Sequence, residues 1–182
     1  MRIIAGEFRG RRLQSPQGRA IRPTSDRARE ALFSILEHGA PAVRGARFLD
    51  LFCGTGAVGL EAHSRGAGEV LLVESDRAAL QLIRANLARI GAPASVRLLA
   101  RDATRLGPAP HPFDLVFIDP PYRSSLAGPA LEGLLRDGWL GAGTRLILEL
   151  ATTDDLEFPQ GYTLERERRY GRAKFLFLRP AT

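Results

Sequence analysis

From Arg47 onward, short apolar runs alternate with amphipathic helical stretches, and a carboxylate stands in or just after four of the runs. Phe48-Leu49-Asp50-Leu51-Phe52, Val70–Val73, Val96–Leu99, Phe113–Ile118 and Arg145–Leu150 have the length and composition of buried strands. Between them lie a glycine loop, Gly54–Gly59, running into a helix over Leu60–Arg65, and a longer helix with Leu80, Ile83, Leu87 and Ile90 on one face. Ser75 or Asp76 caps that longer helix and Gly91 stops it. Another helix spans Leu126–Arg136, and Tyr162–Arg169 with Lys174–Leu178 reads as a hairpin turning at Gly171. This order predicts an α/β fold with a mostly parallel sheet covered by helices on both faces. Right-handed crossovers place the C-terminal ends of the parallel strands on one edge, where doubly wound folds bind ligands. Glu74, Asp102, Asp119 and the glycine loop all fall on that edge.

At 182 residues the chain has room for one such domain and a short appendage. The division expected is 1–46 as appendage and 47–182 as the α/β domain. In the appendage, Arg2–Ala5 and Gly10–Leu13 flank Gly6-Glu7-Phe8-Arg9 as a small hairpin, Ser15–Gly18 turns, and Thr24 or Ser25 caps a helix. Ala28, Ala31, Leu32, Ile35 and Leu36 make the buried stripe of that helix, and Gly39-Ala40-Pro41 ends it.

Charge separates the two parts. Residues 1–47 hold ten Arg and four acids, whereas residues 48–182 hold sixteen basic and sixteen acidic residues, so the net +6 belongs to the N-terminal quarter. A basic segment on a neutral body is the footprint of a polyanion, most often nucleic acid. A solvated face is the other reading. One cysteine excludes a disulfide scaffold and a cysteine-only zinc site, and His38, His63 and His111 have no metal-ligand spacing, so no metal is expected. No apolar run reaches the roughly 20 residues of a membrane span, and Met1–Gly6 turns polar too early for a signal peptide. A cytoplasmic, reducing setting and a monomer are the expectations.

The strand ends carry the chemistry. Gly54-Thr55-Gly56-Ala57-Val58-Gly59 matches G-x-G-x-x-G, a turn that admits close approach of a ligand to the backbone. A dinucleotide and S-adenosylmethionine both suit it, and a plain strand-to-helix turn is the bland reading. Asp50 separates the first two: a carboxylate is unhelpful beside a pyrophosphate and helpful beside ammonium and sulfonium charges. Glu74 has two oxygens for two ribose hydroxyls. Asp102 is an acceptor for an adenine amino group, with the Ala103 backbone beside the ring, or else a helix start. Asp119-Pro120-Pro121-Tyr122 follows a buried strand directly. Its prolines stiffen the chain and remove two donors. The Asp119 carboxylate and the Pro120 carbonyl become two fixed acceptors, and Tyr122 a flat face, which together suit a planar group with an exocyclic amine. Cys53 and Trp139 read as packing residues, and Phe175 and Phe177 as strand core.

Leu49–Gly56, Glu74 and Asp119–Tyr122 resemble the Rossmann-like S-adenosylmethionine-dependent methyltransferases that act on exocyclic or amide nitrogens. Arg2–Gly6, Arg9–Leu13 and Arg22–Phe33 narrow the resemblance to the RsmD-type 16S rRNA guanine-N2 methyltransferases, over nearly the whole chain and in order. The resemblance implies a seven-stranded class I methyltransferase sheet with the last strand antiparallel, and S-adenosylmethionine as cofactor. It implies 16S rRNA as partner, within a 30S subunit or assembly intermediate. Asp119, Pro120, Pro121 and Tyr122 are then the catalytic set. Asp50, Gly54, Thr55, Gly56, Glu74, Ser75, Asp102 and Ala103 are the cofactor set, with Thr24 for the cofactor carboxylate by analogy with helix-terminus anion sites. Arg9, Arg11, Arg12, Arg22, Arg27 and Arg29 are candidate phosphate contacts, although Arg27 and Arg29 share a helix with Glu30 and could instead form local ion pairs. The catalytic motif alone does not choose between guanine and adenine amines. An adenine-N6 DNA enzyme, an enzyme acting on another rRNA, and a non-catalytic RNA-binding assembly factor are the alternatives.

Overall fold

A computed structural model describes residues 1–15, 26–122, 124–154, 156 and 158–181. The expected turn at Pro16–Gly18, and Arg22, Thr24 and Ser25, lie outside the described residues. Eleven elements follow in order: α1 (Asp26–Glu37), β1 (Arg47–Leu51), α2 (Ala57–Ser64), β2 (Glu69–Glu74), α3 (Arg77–Ile90), β3 (Val96–Ala100), β4 (Phe113–Ile118), α4 (Ala127–Arg136), β5 (Leu140–Ala151), β6 (Tyr162–Tyr170) and β7 (Ala173–Pro180).

The strands form one sheet in the order β3-β2-β1-β4-β5-β7-β6. β1 pairs in parallel with β2 and β4, and β7 alone runs against its neighbours. This is the doubly wound sheet with one reversed strand expected of a class I methyltransferase. The order reverses at β1, so a crevice opens between the C-terminal ends of β1 and β4. Alternation along the strands divides the core. Phe48, Leu115, Phe117, Ile147, Phe175 and Phe177 face α1, α2 and α3, while Leu49, Leu51, Val116, Ile118, Leu146 and Leu148 face α4.

Local chemistry sets the helix ends. Asp76 accepts from the Ala79 amide at 2.8 Å, so it, rather than Ser75, caps α3, and Gly91 closes that helix at φ 65°. α2 begins at Ala57, three residues before the expected Leu60, because the left-handed Gly56 (φ 74°) delivers the chain directly into helix. In α1, Phe33 and Arg29 are buried, while Ala31 and Ile35 of the expected stripe are only half-buried. β5 begins five residues before the expected Arg145. Thr144 Oγ1 accepts from the Gly141 amide at 2.8 Å and donates to the Phe113 carbonyl at 2.6 Å, holding Gly141–Gly143 in an irregular extension of the strand. Between β3 and β4 no helix forms. Ala103 and Leu106 of that connection are buried, and the buried Trp139 donates from Nε1 to the Gly107 carbonyl. No described helix is long and apolar enough to cross a membrane.

The N-terminal hairpin closes through an Arg2–Arg12 bridge and bonds between Ile3 and both Gly10 and Arg11. Ile3, Phe8 and Leu13 are buried in the same apolar cluster as Phe48, Val58 and Val70. Residues 1–15 and α1 therefore share an apolar cluster with the sheet.

Candidate active site

β1 ends in a strained turn. Phe52 adopts φ 58°, Gly54 φ 55° and Gly56 φ 74°. A non-glycine residue in the left-handed region costs of order 1 kcal/mol or more and persists where its surroundings hold it. Here the Cys53 amide bonds to the Val73 carbonyl, and the Gly56 amide to the Cys53 carbonyl at 2.7 Å. Glu74, at the end of β2, completes the hold. Its Oε2 accepts from the Gly54 amide at 2.9 Å, and its Oε1 accepts from the amides of Ser75 and Asp76. The two oxygens expected to serve a ligand thus also join the glycine loop to the next strand end.

Asp50 lies beneath the loop and is 1% exposed. Its Oδ2 accepts from the Gly59 amide at 2.8 Å, and its Oδ1 has no hydrogen-bond partner. A Cβ at Gly59 would collide with the Leu72 side chain and crowd Asp50 Oδ2 at 3.1 Å, so glycine is required for this approach. Burial pushes the Asp50 carboxyl from 3.8 up to about 8, opposed by the Gly59 hydrogen bond and assisted by the Glu74 charge. The folded protein therefore binds a proton at Asp50 that the unfolded chain releases near pH 4, and stability falls as pH rises from about 4 to 8. Asp50→Asn, which keeps the acceptor for Gly59, is expected to flatten that decline in melting temperature. An unchanged slope would remove Asp50 as its source.

Asp119 follows β4, with its amide bonded to the Leu51 carbonyl of β1 at 3.2 Å. Its carboxyl is pushed well above the ordinary carboxylate range by burial first, then by the charges of Glu149 and Asp50. Pro120 is buried and Pro121 exposed, and the Pro121 carbonyl accepts from the Ser124 amide at 3.1 Å, closing a tight turn around Tyr122. The Tyr122 ring is 39% exposed, and its hydroxyl donates to Glu149 Oε1 at 3.3 Å. A cleft of about 430 Å³ opens beside this turn, lined by Pro120, Pro121, Ser124, Ser125, Ala127, Leu150, Thr153, Asp154 and Leu156. The structure thus brings Asp119–Tyr122, Asp50, the glycine loop and Glu74 to one edge.

Asp102 is exposed at the end of β3. Its Oδ1 accepts from the amide and hydroxyl of Thr104, which lower its pKa and make it a turn-forming residue as well as a candidate acceptor; Ala103 beside it is buried. Arg9, Arg12 and Arg27 are exposed. Arg11 is exposed too, but its guanidinium lies over the Phe8 ring and donates to the Ile90 carbonyl at the C-terminus of α3. Arg29 corrects an expectation. It is 0% exposed, donating to Asp26 Oδ1 at 2.9 Å and to the Arg2 carbonyl, with Nε 3.6 Å from Glu61. A guanidinium sealed in this way holds the hairpin and does not reach a phosphate.

Three buried polar residues escaped the reading of the sequence. Glu149 stands in an apolar strand, as Asp50 does. Glu61 stands in the apolar run Leu60-Glu61-Ala62 and accepts from the amides of Ile4 and Ala5. Asn86 lies on the Ile83–Ile90 face of α3 and donates to the Thr55 carbonyl of the glycine loop at 3.0 Å while pairing with the Gln14 backbone. Each is a polar break in an apolar pattern, and that signal was available. Among the described residues no group of His, Cys, Asp and Glu is disposed to hold a metal ion.

Comparisons with known proteins agree on this architecture. Residues 1–179 match the family model described as conserved hypothetical protein 95. The chain is 37% identical to ribosomal RNA small subunit methyltransferase D of Escherichia coli, over 96% of this chain and 87% of that protein. It is 33% identical to the protein of the same name from Haemophilus influenzae, over 94% and 89%. The solved structure of yhhF from Escherichia coli, provisionally named a methyltransferase, superposes with a TM-score of 0.85 at 37% identity, covering 99% of this chain and 97% of that one.

Proposed function

The chain belongs to the conserved hypothetical protein 95 family, and on that premise we propose that it transfers a methyl group from S-adenosylmethionine to the exocyclic N2 of a guanine in 16S rRNA, within a 30S subunit or its assembly intermediate. The observation that carries this reading is the placement of Asp119-Pro120-Pro121-Tyr122 at the end of β4, across the crevice from the glycine loop that follows β1. The names of the relatives, which refer to ribosomal RNA of the small subunit, support the substrate class.

The residues fit the cofactor. Positive φ at Gly54 and Gly56 turns the loop without side chains in the way, and Glu74 offers an acceptor at the adjoining strand end. Asp50 places a buried carboxyl with an unpaired oxygen under the loop, a setting that a cation relieves. Gly54, Thr55, Gly56, Glu74 and Ser75 would hold the cofactor, with Asp102 and Ala103 toward its base and Asp50 supporting from below. Thr24 remains the candidate for its carboxylate. When bound, this cofactor supplies an electrophilic methyl on a sulfonium.

An aromatic exocyclic amine is a poor nucleophile, because its lone pair is delocalised into the ring. Asp119 and the Pro120 carbonyl accept from its two N–H groups and favour the pyramidal nitrogen on which positive charge develops. In its ionised form Asp119 takes the proton that the methylated nitrogen sheds, a transfer favoured by the burial and neighbouring charges that disfavour its anion. Tyr122 stacks on a base turned out of its helix.

Incubation with labelled S-adenosylmethionine and unmodified 30S particles, 16S rRNA or DNA tests the reading. Labelled N2-methylguanosine in 16S rRNA is expected. N6-methyladenine in DNA would keep the chemistry and overturn the substrate.

A further inference from the structure

We infer that the β6–β7 hairpin carries a second phosphate-binding surface, a stripe of Arg166, Arg168 and Arg172 that holds the RNA strand beside the target base. The inference rests on the rRNA reading above and extends it to a part of the chain whose overall charge cancels.

The sheet register places the stripe. Glu149 pairs with Phe175 across β5 and β7, and Phe175 pairs with Arg168 across β7 and β6. Paired residues point to the same face of a sheet, so Glu149, Phe175 and Arg168 form one lateral row. At about 4.8 Å per strand, Arg168 stands about 10 Å from the carboxylate that receives the Tyr122 hydroxyl. Arg166, opposite Phe177, lies on the same face one step along. The turn after β6 returns to the catalytic edge, where the Thr152 amide bonds to the Arg172 carbonyl and Thr153 and Asp154 line the cleft.

The charge on this hairpin is not cancelled locally. Its two acids are taken up by other arginines. Glu165 pairs with Arg145 and Arg179, and Glu167 pairs with Arg169 at 2.7 Å. Arg166, Arg168 and Arg172 are exposed and form no ion pair with another described residue, and Arg168 donates to the Glu167 carbonyl at 3.0 Å. β6 is also the outermost strand, so no further strand covers the row. Edge-strand charges protect a sheet from pairing with other chains, and alternating signs suffice for that. Two cations on the Glu149 face of β6 and a third in the turn at the catalytic edge, none in an ion pair with a described residue, suit a partner with regularly spaced anions, which is a nucleic-acid backbone.

The test is the salt dependence of binding to a single-stranded fragment of unmodified 16S rRNA, for the full chain and for the double variant Arg166→Gln/Arg168→Gln. Each lost contact to a single strand removes about 0.7 from the slope of log K against log salt, so the slope should fall by about 1.4 and affinity by about tenfold or more at moderate salt. Binding of S-adenosylmethionine and the melting temperature should match the parent. An unchanged slope in the variant overturns the stripe. A parent protein that binds the RNA weakly and without salt dependence overturns the rRNA reading itself. A variant whose melting temperature drops is replaced by Arg172→Gln, which sits in the turn and is expected to lower the slope by about 0.7.

Discussion

Asp119→Ala is expected to reduce methyl transfer by about 10³-fold while leaving cofactor affinity within about twofold. The variant loses the acceptor that holds the reacting amine and takes its proton. It also loses a carboxyl that the charges of Glu149 and Asp50 disfavour as an anion. Removing that repulsion relieves the folded state, so the melting temperature at neutral pH should hold or rise. That combination distinguishes a catalytic residue from a structural one, whose loss lowers both quantities together. Single-turnover rates on 30S particles and calorimetric titration with cofactor give the two numbers. Turnover close to that of the parent would remove Asp119 from the chemistry and leave the proline turn without a function.

Glu61→Ala has the largest expected effect on stability. Glu61 is 0% exposed and satisfies the Ile4 and Ala5 amides, the Arg65 guanidinium at 2.8 Å and, more distantly, the sealed Arg29. Removing one partner of a buried charge pair costs about 3–5 kcal/mol, because the other charge stays behind without compensation. For a chain of this size that corresponds to a melting temperature lower by roughly 10 °C. A double variant, Arg29→Leu with Glu61→Leu, should recover part of the loss, since an apolar pair leaves no stranded charge. A loss below about 1 kcal/mol in urea unfolding would show that the network is not what docks the hairpin.

Much of the fold was legible because β1, β2, β4 and the second half of β5 are largely buried and read as mostly apolar runs. Asp76, Gly91 and the alternating Phe175 and Phe177 also announced themselves locally. The five residues added to β5 did not, because they depend on Thr144 reaching Phe113 thirty-one positions away. The same holds within the site. Asp119–Tyr122 and the glycine loop are contiguous motifs, whereas Glu149 joins them only through strand pairing. Arg29 misled for a related reason. Its neighbours Arg27 and Glu30 are exposed, and only the return of α2 beneath α1 seals it. Charge in a sequence does not say which cations will meet water.

The position of β7 has a consequence for how the chain is made. It follows all the other described strands in the chain, yet it lies inside the sheet, between β5 and β6. Until it emerges, the Leu146–Ala151 segment of β5 presents an apolar, unpaired edge, and β6 has no neighbour at all. A nascent or truncated chain ending before Ala173 is therefore a template for pairing with other chains. The hairpin that carries the arginine stripe exists only once β7 has been inserted between β5 and β6.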